Sequence, residues 1–372
     1  MRPIRRAAAL ARTIWKVRRG EACLPRMLTY IVTFACNARC VMCDSWRKDS
    51  QGDLSLADVE RIFSRLPPMD AVRLSGGEPF VRKDLTDIAR VAVSALEPAL
   101  LHVTTNGFLT DRIVDFCERR PRTIPLKLLV SIDGVGDTHD AIRGHRGAFR
   151  AAMRTIEALA PRRKELRLSL AVNQTVVDAA GAAQYRELHA ILAPLGIQNQ
   201  VVVAYRASAT YSIAQEANLA PSYPGQFEAF GDISPAELEG LFDAIESDLK
   251  SYARADRAAK RYYLDGIRNR LLAQEASPNP PCVAVRAHLR IFPNGDVPIC
   301  QFNSRRLGNL REETFEEIWF GAPAESARTW VRACPGCWAE CEVLPSAVYS
   351  GDIFKHALTT RGSLRRPKQS PA

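Results

Sequence analysis

Apolar positions follow two alternating rhythms along the first two-thirds of the chain. Short runs rich in β-branched and aromatic residues, at 27–34, 71–75, 100–105, 125–133, 165–173 and 197–204, read as buried strands. Between them the apolar residues recur three and four apart, which marks helices with one buried face. In 54–66 that stripe is Leu56, Val59, Ile62, Phe63 and Leu66. Ser55 is placed to cap it, Asp58 stands at the third helical position, and Pro67-Pro68 stops it. Further helices are expected over 84–96 and around 180–193. Strand and helix alternating at this spacing predict six parallel βα units, hence an α/β fold.

The pattern changes after the sixth strand. Residues 205–233 read as loop, and Ser234-Pro235-Ala236-Glu237 then starts a helical region that runs to about 275. Ser277-Pro278-Asn279-Pro280-Pro281 ends it and marks a domain boundary. Beyond it, the runs 287–292 and 297–300 flank Asn294-Gly295, a hairpin turn signal. A helix of about twenty residues with Ile318, Trp319, Phe320 and Trp330 follows. The expected organisation is a basic extension (1–24), a core (25–225), a helical linker (226–281), a small Cys-rich hairpin-plus-helix domain (282–350) and a disordered basic tail (351–372).

Composition adds a correction about charge. The 372 residues are 47% hydrophobic and 25% charged, ordinary for a globular protein, and the length suits two domains. The net charge of +10 sits at the ends: seven basic residues and no acid in 1–20, four and none in 361–372. The body between is close to neutral, so basicity is no argument for a nucleic-acid groove, and no nucleic-acid partner is expected. The N-terminal arm suits a basic amphipathic helix, either a solvated or core-docked extension or one touching a membrane surface. It lacks the apolar stretch of a secretory signal, and no run is long enough to span a bilayer, so a cytoplasmic protein is expected.

Cysteine placement changes the picture most. Cys23 and Cys117 stand alone and read as small buried hydrophobes. Cys36, Cys40 and Cys43 fall within eight residues, on a loop leaving the first strand. A disulfide would strand one thiol, structural zinc prefers four ligands, and a Cys40–Cys43 redox pair leaves Cys36 without a role. Three thiolates on a loop suit a cubane iron–sulfur cluster with one iron open, with zinc or redox thiols as the alternatives.

This spacing after a first strand resembles the radical S-adenosylmethionine (radical SAM) superfamily, whose fold is an incomplete (β/α)6 TIM-like barrel. The resemblance implies that Cys36, Cys40 and Cys43 hold a [4Fe–4S] cluster and that S-adenosylmethionine (SAM) chelates its open iron. Met42 stands where the superfamily often has an aromatic over the adenine. Gly76-Gly77-Glu78-Pro79, ending the second strand, matches the motif that receives the SAM amino group. Thr105 and Asn106 occupy the third strand end, Ser131 and Asp133 share one face of the fourth strand towards the ribose, Arg143 is the carboxylate partner, and Asn173 ends the fifth strand. His102, inside the third strand, reads as an ordinary core histidine.

Cys282, Cys300, Cys334, Cys337 and Cys341, with Gly295 five residues before Cys300, resemble an abbreviated SPASM or twitch domain. Five thiolates cannot ligate two four-cysteine clusters, so one auxiliary [4Fe–4S] cluster is implied, on Cys282, Cys300 and two of the other three; a structural zinc is the alternative. The implied activity is reductive SAM cleavage to a 5′-deoxyadenosyl radical that abstracts hydrogen from a C–H bond of a peptide side chain or small metabolite. A flavodoxin or ferredoxin-type reductant would serve it. About 25 residues precede the first strand, too few for an added peptide-binding domain, which weighs modestly against a peptide. A non-enzymatic iron–sulfur or zinc protein is the alternative class.

Overall fold

A computed structural model describes residues 3–48, 50–205 and 228–360. The chain opens with α1 (Pro3–Arg18), then runs β1 (Met27–Ile31), α2 (Leu56–Phe63), β2 (Ala71–Ser75), α3 (Leu85–Leu96), β3 (Leu100–Thr105), α4 (Thr110–Arg119) and β4 (Leu126–Ser131). Next come α5 (Asp137–Arg143), α6 (Ala148–Leu159), β5 (Leu168–Val176), α7 (Ala179–Ala183), α8 (Tyr185–Leu192) and β6 (Gln198–Val203). Two long helices, α9 (Pro235–Asp248) and α10 (Arg254–Arg268), precede β7 (His288–Ile291), β8 (Asp296–Pro298) and β9 (Arg306–Asn309). The chain closes with α11 (Phe315–Phe320), α12 (Ala322–Ala333), α13 (Glu340–Tyr349) and α14 (Asp352–Thr360).

The six predicted βα strands form a curved parallel sheet in the order β6-β5-β4-β3-β2-β1, and β7 adds a seventh strand beside β1. Chain order and spatial order coincide because each crossover helix returns the chain one strand further along. Helices α2, α3, α4 and α6 pack Phe63, Ile88, Phe116 and Ile156 on the outer face of the sheet, in one continuous core. The inner face is different. Arg73, His102 and Lys127 are in register on β2, β3 and β4, and Thr29 and Arg290 extend the row onto β1 and β7. Their shared parity turns them all inward, so the partial barrel has a polar lining.

Several local predictions hold to the residue. Ser55 and Ser234 each form a capping box, with Asp58 and Glu237 respectively. Strands β2 and β3 have the predicted limits. Cys117 and Cys23 are buried as expected.

Other expectations need revision. The run 287–292 does not pair with 297–300: residues 288–291 of β7 lie parallel to β1, and β8 pairs antiparallel with β9 instead. The turn at Asn294-Gly295 does form, with Gly295 at φ +93°. All four residues of β7 are buried, because the strand fills the open edge of the barrel and is covered on both faces. The single helix expected around 318–330 is two, α11 and α12, separated at Gly321. Residues 352–360, expected within a disordered tail, form α14, whose Asp352 accepts a hydrogen bond from Tyr262. Residues 361–372 lie outside the described residues, as does most of the predicted 205–233 loop. The N-terminal arm is docked: Val17 is buried and Arg18 Nε donates to the Ser350 carbonyl. Among the described residues no helix is long and apolar enough to cross a membrane.

Candidate active site

The cysteine loop is clamped from two sides. On one side, Val32 N donates to Ser75 O, Gly77 N to Thr33 O and Glu78 N to Ala35 O, at 2.8–2.9 Å, which lays the end of β2 along the start of the loop. The approach is so close that only glycine fits. A Cβ on Gly76 (φ +148°) would stand 2.2 Å from the Thr33 oxygen, and one on Gly77 2.3 Å from the Ala35 oxygen. On the other side, Arg39 N and Val41 N donate to the carbonyls of Arg143 and Ile142, at the C-terminal end of α5. Gly144 (φ +59°) permits this contact, since a Cβ there would meet Arg39 O at 2.6 Å.

Arg143 joins the loop to the fourth strand. Its Nε pairs with Asp133 at 2.7 Å and its Nη1 donates to Cys40 Sγ at 3.5 Å. Asp133 is fully buried; it also accepts from Thr175 N, while its own N–H is received by His139 Nδ1. Burial pushes the Asp133 carboxyl up, and the adjacent guanidinium opposes that shift. The fork expected for a ligand carboxylate is therefore partly engaged by the protein itself.

Glu78 is similarly committed. One of its oxygens accepts from Phe80 N and Thr105 Oγ1, and the other from Asn106 N at 2.7 Å. Asn106 in turn donates to Asn37 Oδ1, inside the cysteine loop. With 1% exposure, burial pushes Glu78 up to about 7 despite these donors. Glu78 thus ties the ends of β2 and β3 together; neither it nor the buried Pro79 faces the cavity described next.

A cavity of about 560 Å³ runs inside the partial barrel. Cys36, Cys40 and Cys43 line one end with Met42, Gly76 and Gly77. Thr105, Asn106, Ser131, Arg143 and Asn173 line the same end; Asp133 does not, and acts through Arg143. Met42 packs on the cluster of Ile142, Val177 and Ala204. Asn173 lies inside β5 rather than at its end, because that strand begins and ends three residues later than predicted. Trp46, not anticipated, also lines this end, between the guanidiniums of Arg39 and Arg47. Its position three residues past Cys43 is the signal that could have found it.

The second cysteine group reaches the other end of the cavity. Cys341 lines it together with Gln301 and Trp338, and Cys341 Sγ donates to Gln301 Oε1 at 2.7 Å. Cys282, Cys300, Cys334 and Cys337 do not line the cavity. Cys282 lies close enough to Cys300, Cys334 and Cys337 for a charge on one thiol to be felt by its neighbour, and burial pushes the Cys282 thiol up to about 12. Beneath them Glu342, 4% exposed, pairs with Arg290 at 2.5 Å and His288 at 3.3 Å and accepts from Gln301 N. Burial alone would raise Glu342, but Arg290 and His288 hold it well below the usual carboxylate range.

All ten cysteines are free thiols, and among the described residues no three His, Cys, Asp or Glu side chains stand together as a finished metal site. The donor chemistry nevertheless fits an iron–sulfur group. Three soft thiols on one loop face one cavity, and a guanidinium beside Cys40 offsets thiolate charge.

Comparison with known proteins agrees. Residues 30–178 match the radical SAM superfamily model and residues 282–341 match an iron–sulfur cluster-binding domain, SPASM; together these span more than half of the chain. The chain is similar to the AdoMet-dependent heme synthase of Methanosarcina barkeri, 27% identical over 80% of this chain and 83% of that protein. It is also similar to the mycofactocin maturase of Mycobacterium tuberculosis, 34% identical over 37% of this chain and 34% of that one. The fold matches Streptococcus suis SuiB, solved bound to S-adenosylmethionine, with a TM-score of 0.59 at 16% identity, over 86% of this chain and 71% of that one. The fold, the paired domains and the relatives make this an enzyme that uses SAM and [4Fe–4S] chemistry. The chain belongs to the radical SAM superfamily and carries a C-terminal SPASM domain.

Proposed function

We propose that this enzyme abstracts a hydrogen atom from a C–H bond of a substrate held between its two cysteine groups. The observation that carries this reading is the single cavity, walled by Cys36, Cys40 and Cys43 at one end and by Cys341 at the other. In this reading Cys36, Cys40 and Cys43 hold a [4Fe–4S] cluster, and Cys282, Cys300, Cys334 and Cys337 hold one auxiliary [4Fe–4S] cluster. When bound, the first cluster and SAM together supply a 5′-deoxyadenosyl radical, with the electron drawn from a flavodoxin or ferredoxin-type protein.

The chain's own residues position and seal. Gly76 and Gly77 present bare backbone beside the cysteine loop, where a cofactor amino group can approach. Arg143 keeps Asp133 from carrying an uncompensated charge and leaves part of its fork for a carboxylate. Met42 and Trp46 offer polarisable surface to an adenine. The barrel wall and the SPASM segment exclude water from the radical. The substrate is a small metabolite rather than a peptide in this reading, because the heme synthase likeness runs through both domains whereas the maturase likeness covers about a third of the chain.

Anaerobic reconstitution, addition of SAM and dithionite, and chromatography for 5′-deoxyadenosine test the reading. Product formed by the wild type and absent from Cys40→Ala supports it; absence from both rejects it.

A further inference from the structure

The floor of the cavity carries charge that the protein does not use. Arg73, His102 and Lys127 are neighbours in register on β2, β3 and β4, and all three line the cavity. Two cations flanking a half-buried histidine on a cavity wall call for a reason. The other cations lining the cavity have carboxylates: Arg143 has Asp133, Arg290 has Glu342, and Lys127 has Asp256 at 3.6 Å. Arg73 is the exception. Its Nε donates to His102 Nδ1 at 3.1 Å and its Nη1 to the Cys341 carbonyl at 3.4 Å, and no carboxylate pairs with it among the described residues.

The Arg73 contact also fixes the histidine. An Nδ1 that accepts from a guanidinium carries no proton, so the ring hydrogen is on Nε2. That Nε2 is buried, without a partner among the described residues, on a side chain that lines the cavity. Burial and the nearby charges of Arg73 and Lys127 keep the ring neutral, holding its pKa well below the ordinary value. A guanidinium edge, an orphaned N–H and an ammonium thus converge on one region. A guanidinium without a carboxylate, an N–H without an acceptor and an ammonium only loosely paired with Asp256 describe an oxyanion site.

We propose that Arg73, His102 and Lys127 bind a carboxylate of the substrate, and that the substrate is a small molecule with an apolar body and acid groups. The rest of the cavity fits the apolar part: Leu100, Leu129, Val202 and Leu344 line it. Arg73 lies three residues before Gly76, a span of about 10 Å along extended chain. The anchor therefore holds the acid group away from the radical end and lets the body of the molecule reach it. The site rests on the reading that substrate occupies this cavity, and it is separate from the groups that hold SAM.

The probes are coproporphyrin III, an apolar ring with four carboxylates, and its tetramethyl ester. Binding to the reconstituted holoenzyme with SAM present is followed by porphyrin fluorescence. The wild type is expected to bind the acid and to bind the ester at least about tenfold more weakly. Arg73→Gln should weaken the acid at least about tenfold and leave the ester unchanged, with Arg73→Lys intermediate. Equal binding of acid and ester by the wild type overturns the proposal without any variant. So does a Gln variant, intact by circular dichroism and iron content, that binds the acid normally, and so does a wild type that binds neither probe. Formation of 5′-deoxyadenosine by the wild type, measured separately, shows whether the radical reading stands when the anchor fails.

Discussion

Two buried glutamates, one beside each cysteine group, show how differently the two ends of the cavity are built. Glu78 is surrounded by neutral donors, two backbone N–H groups and the Thr105 hydroxyl. Glu342 is surrounded by Arg290 and His288. Burial is nearly the same, 1% and 4%, yet Glu78 is pushed up to about 7 while Glu342 is held far below its ordinary value. Neutral hydrogen bonds do not repay the desolvation of a carboxylate, whereas a guanidinium at 2.5 Å does. The contrast follows from how each end is assembled. The N-terminal group is a local loop held by backbone contacts and glycines. The C-terminal group gathers residues 282–341 from distant segments, and a charged network binds those segments to the barrel strand β7.

The largest expected difference between the ends is chemical. Cys36→Ala, Cys40→Ala or Cys43→Ala should abolish 5′-deoxyadenosine formation, because each removes one of three thiols on the loop. Cys282→Ala should lower auxiliary iron but retain SAM cleavage, since its side chain does not line the cavity. Iron analysis with chromatography of the nucleoside checks both. Loss of SAM cleavage in Cys282→Ala to the same extent would show that the two ends do not act separately.

Next in size is the charged network. Glu342→Ala leaves Arg290 buried without its carboxylate and should cost about 3–5 kcal/mol. Urea unfolding under anaerobic conditions measures it, and iron should leave the C-terminal group first. An unchanged midpoint would mean that the network does not hold the domain to the barrel.

The glutamates also predict opposite responses to pH. A carboxyl raised in the folded state contributes stability below its unfolded value, and that contribution is lost as pH rises through the folded value. For Glu78 the window runs from about 4.5 to about 7, with a span of up to ~3 kcal/mol. For Glu342, held low, the contribution is present above its ordinary value and is lost as pH falls. Glu78→Gln should therefore remove a fall in stability between pH 4.5 and 7, and Glu342→Gln should remove a loss at lower pH. Matching slopes in the two variants would contradict the contrast.

The two ends also differed in how far they could be read from the sequence. The loop at 36–43 was legible because its three cysteines are neighbours in the chain, and β2 and β3 because their apolar runs are bounded by turn residues. The strand β7 was misread as half of a hairpin. Its apolar run has no marker of direction, and the partner it takes, β1, is some 260 residues away. The start of β5 was misplaced because Arg167, at φ +46°, turns the chain just before Leu168. Arg73 and Lys127 escaped notice, and His102 read as an ordinary core histidine, for a physical reason. Polar residues alternating with apolar ones mark a solvent-facing strand face, and a hollow barrel interior has the same signature. Only the register of β2, β3 and β4 shows that the three form one row.

The smallest test uses a motif that both regions share. Ser55 caps α2 in the barrel through a box with Asp58, and Thr314 caps α11 in the C-terminal segment through a box with Glu317. Both boxes sit at exposed positions with the same bonds, so Ser55→Ala and Thr314→Ala should each remove about 1 kcal/mol locally. The consequences should differ. Helix α2 packs on the core of the seven-stranded sheet, whose strands stay paired when the cap is lost. Helix α11 adjoins the strands β8 and β9, and Trp319 on it donates to the Cys23 carbonyl, a bond that fastens the segment to the N-terminal arm. Hydrogen exchange should show Ser55→Ala raising exchange in α2 alone, and Thr314→Ala raising it from α11 through β9. Confinement of the second effect to α11 would mean that the C-terminal end is as locally built as the loop at the other end.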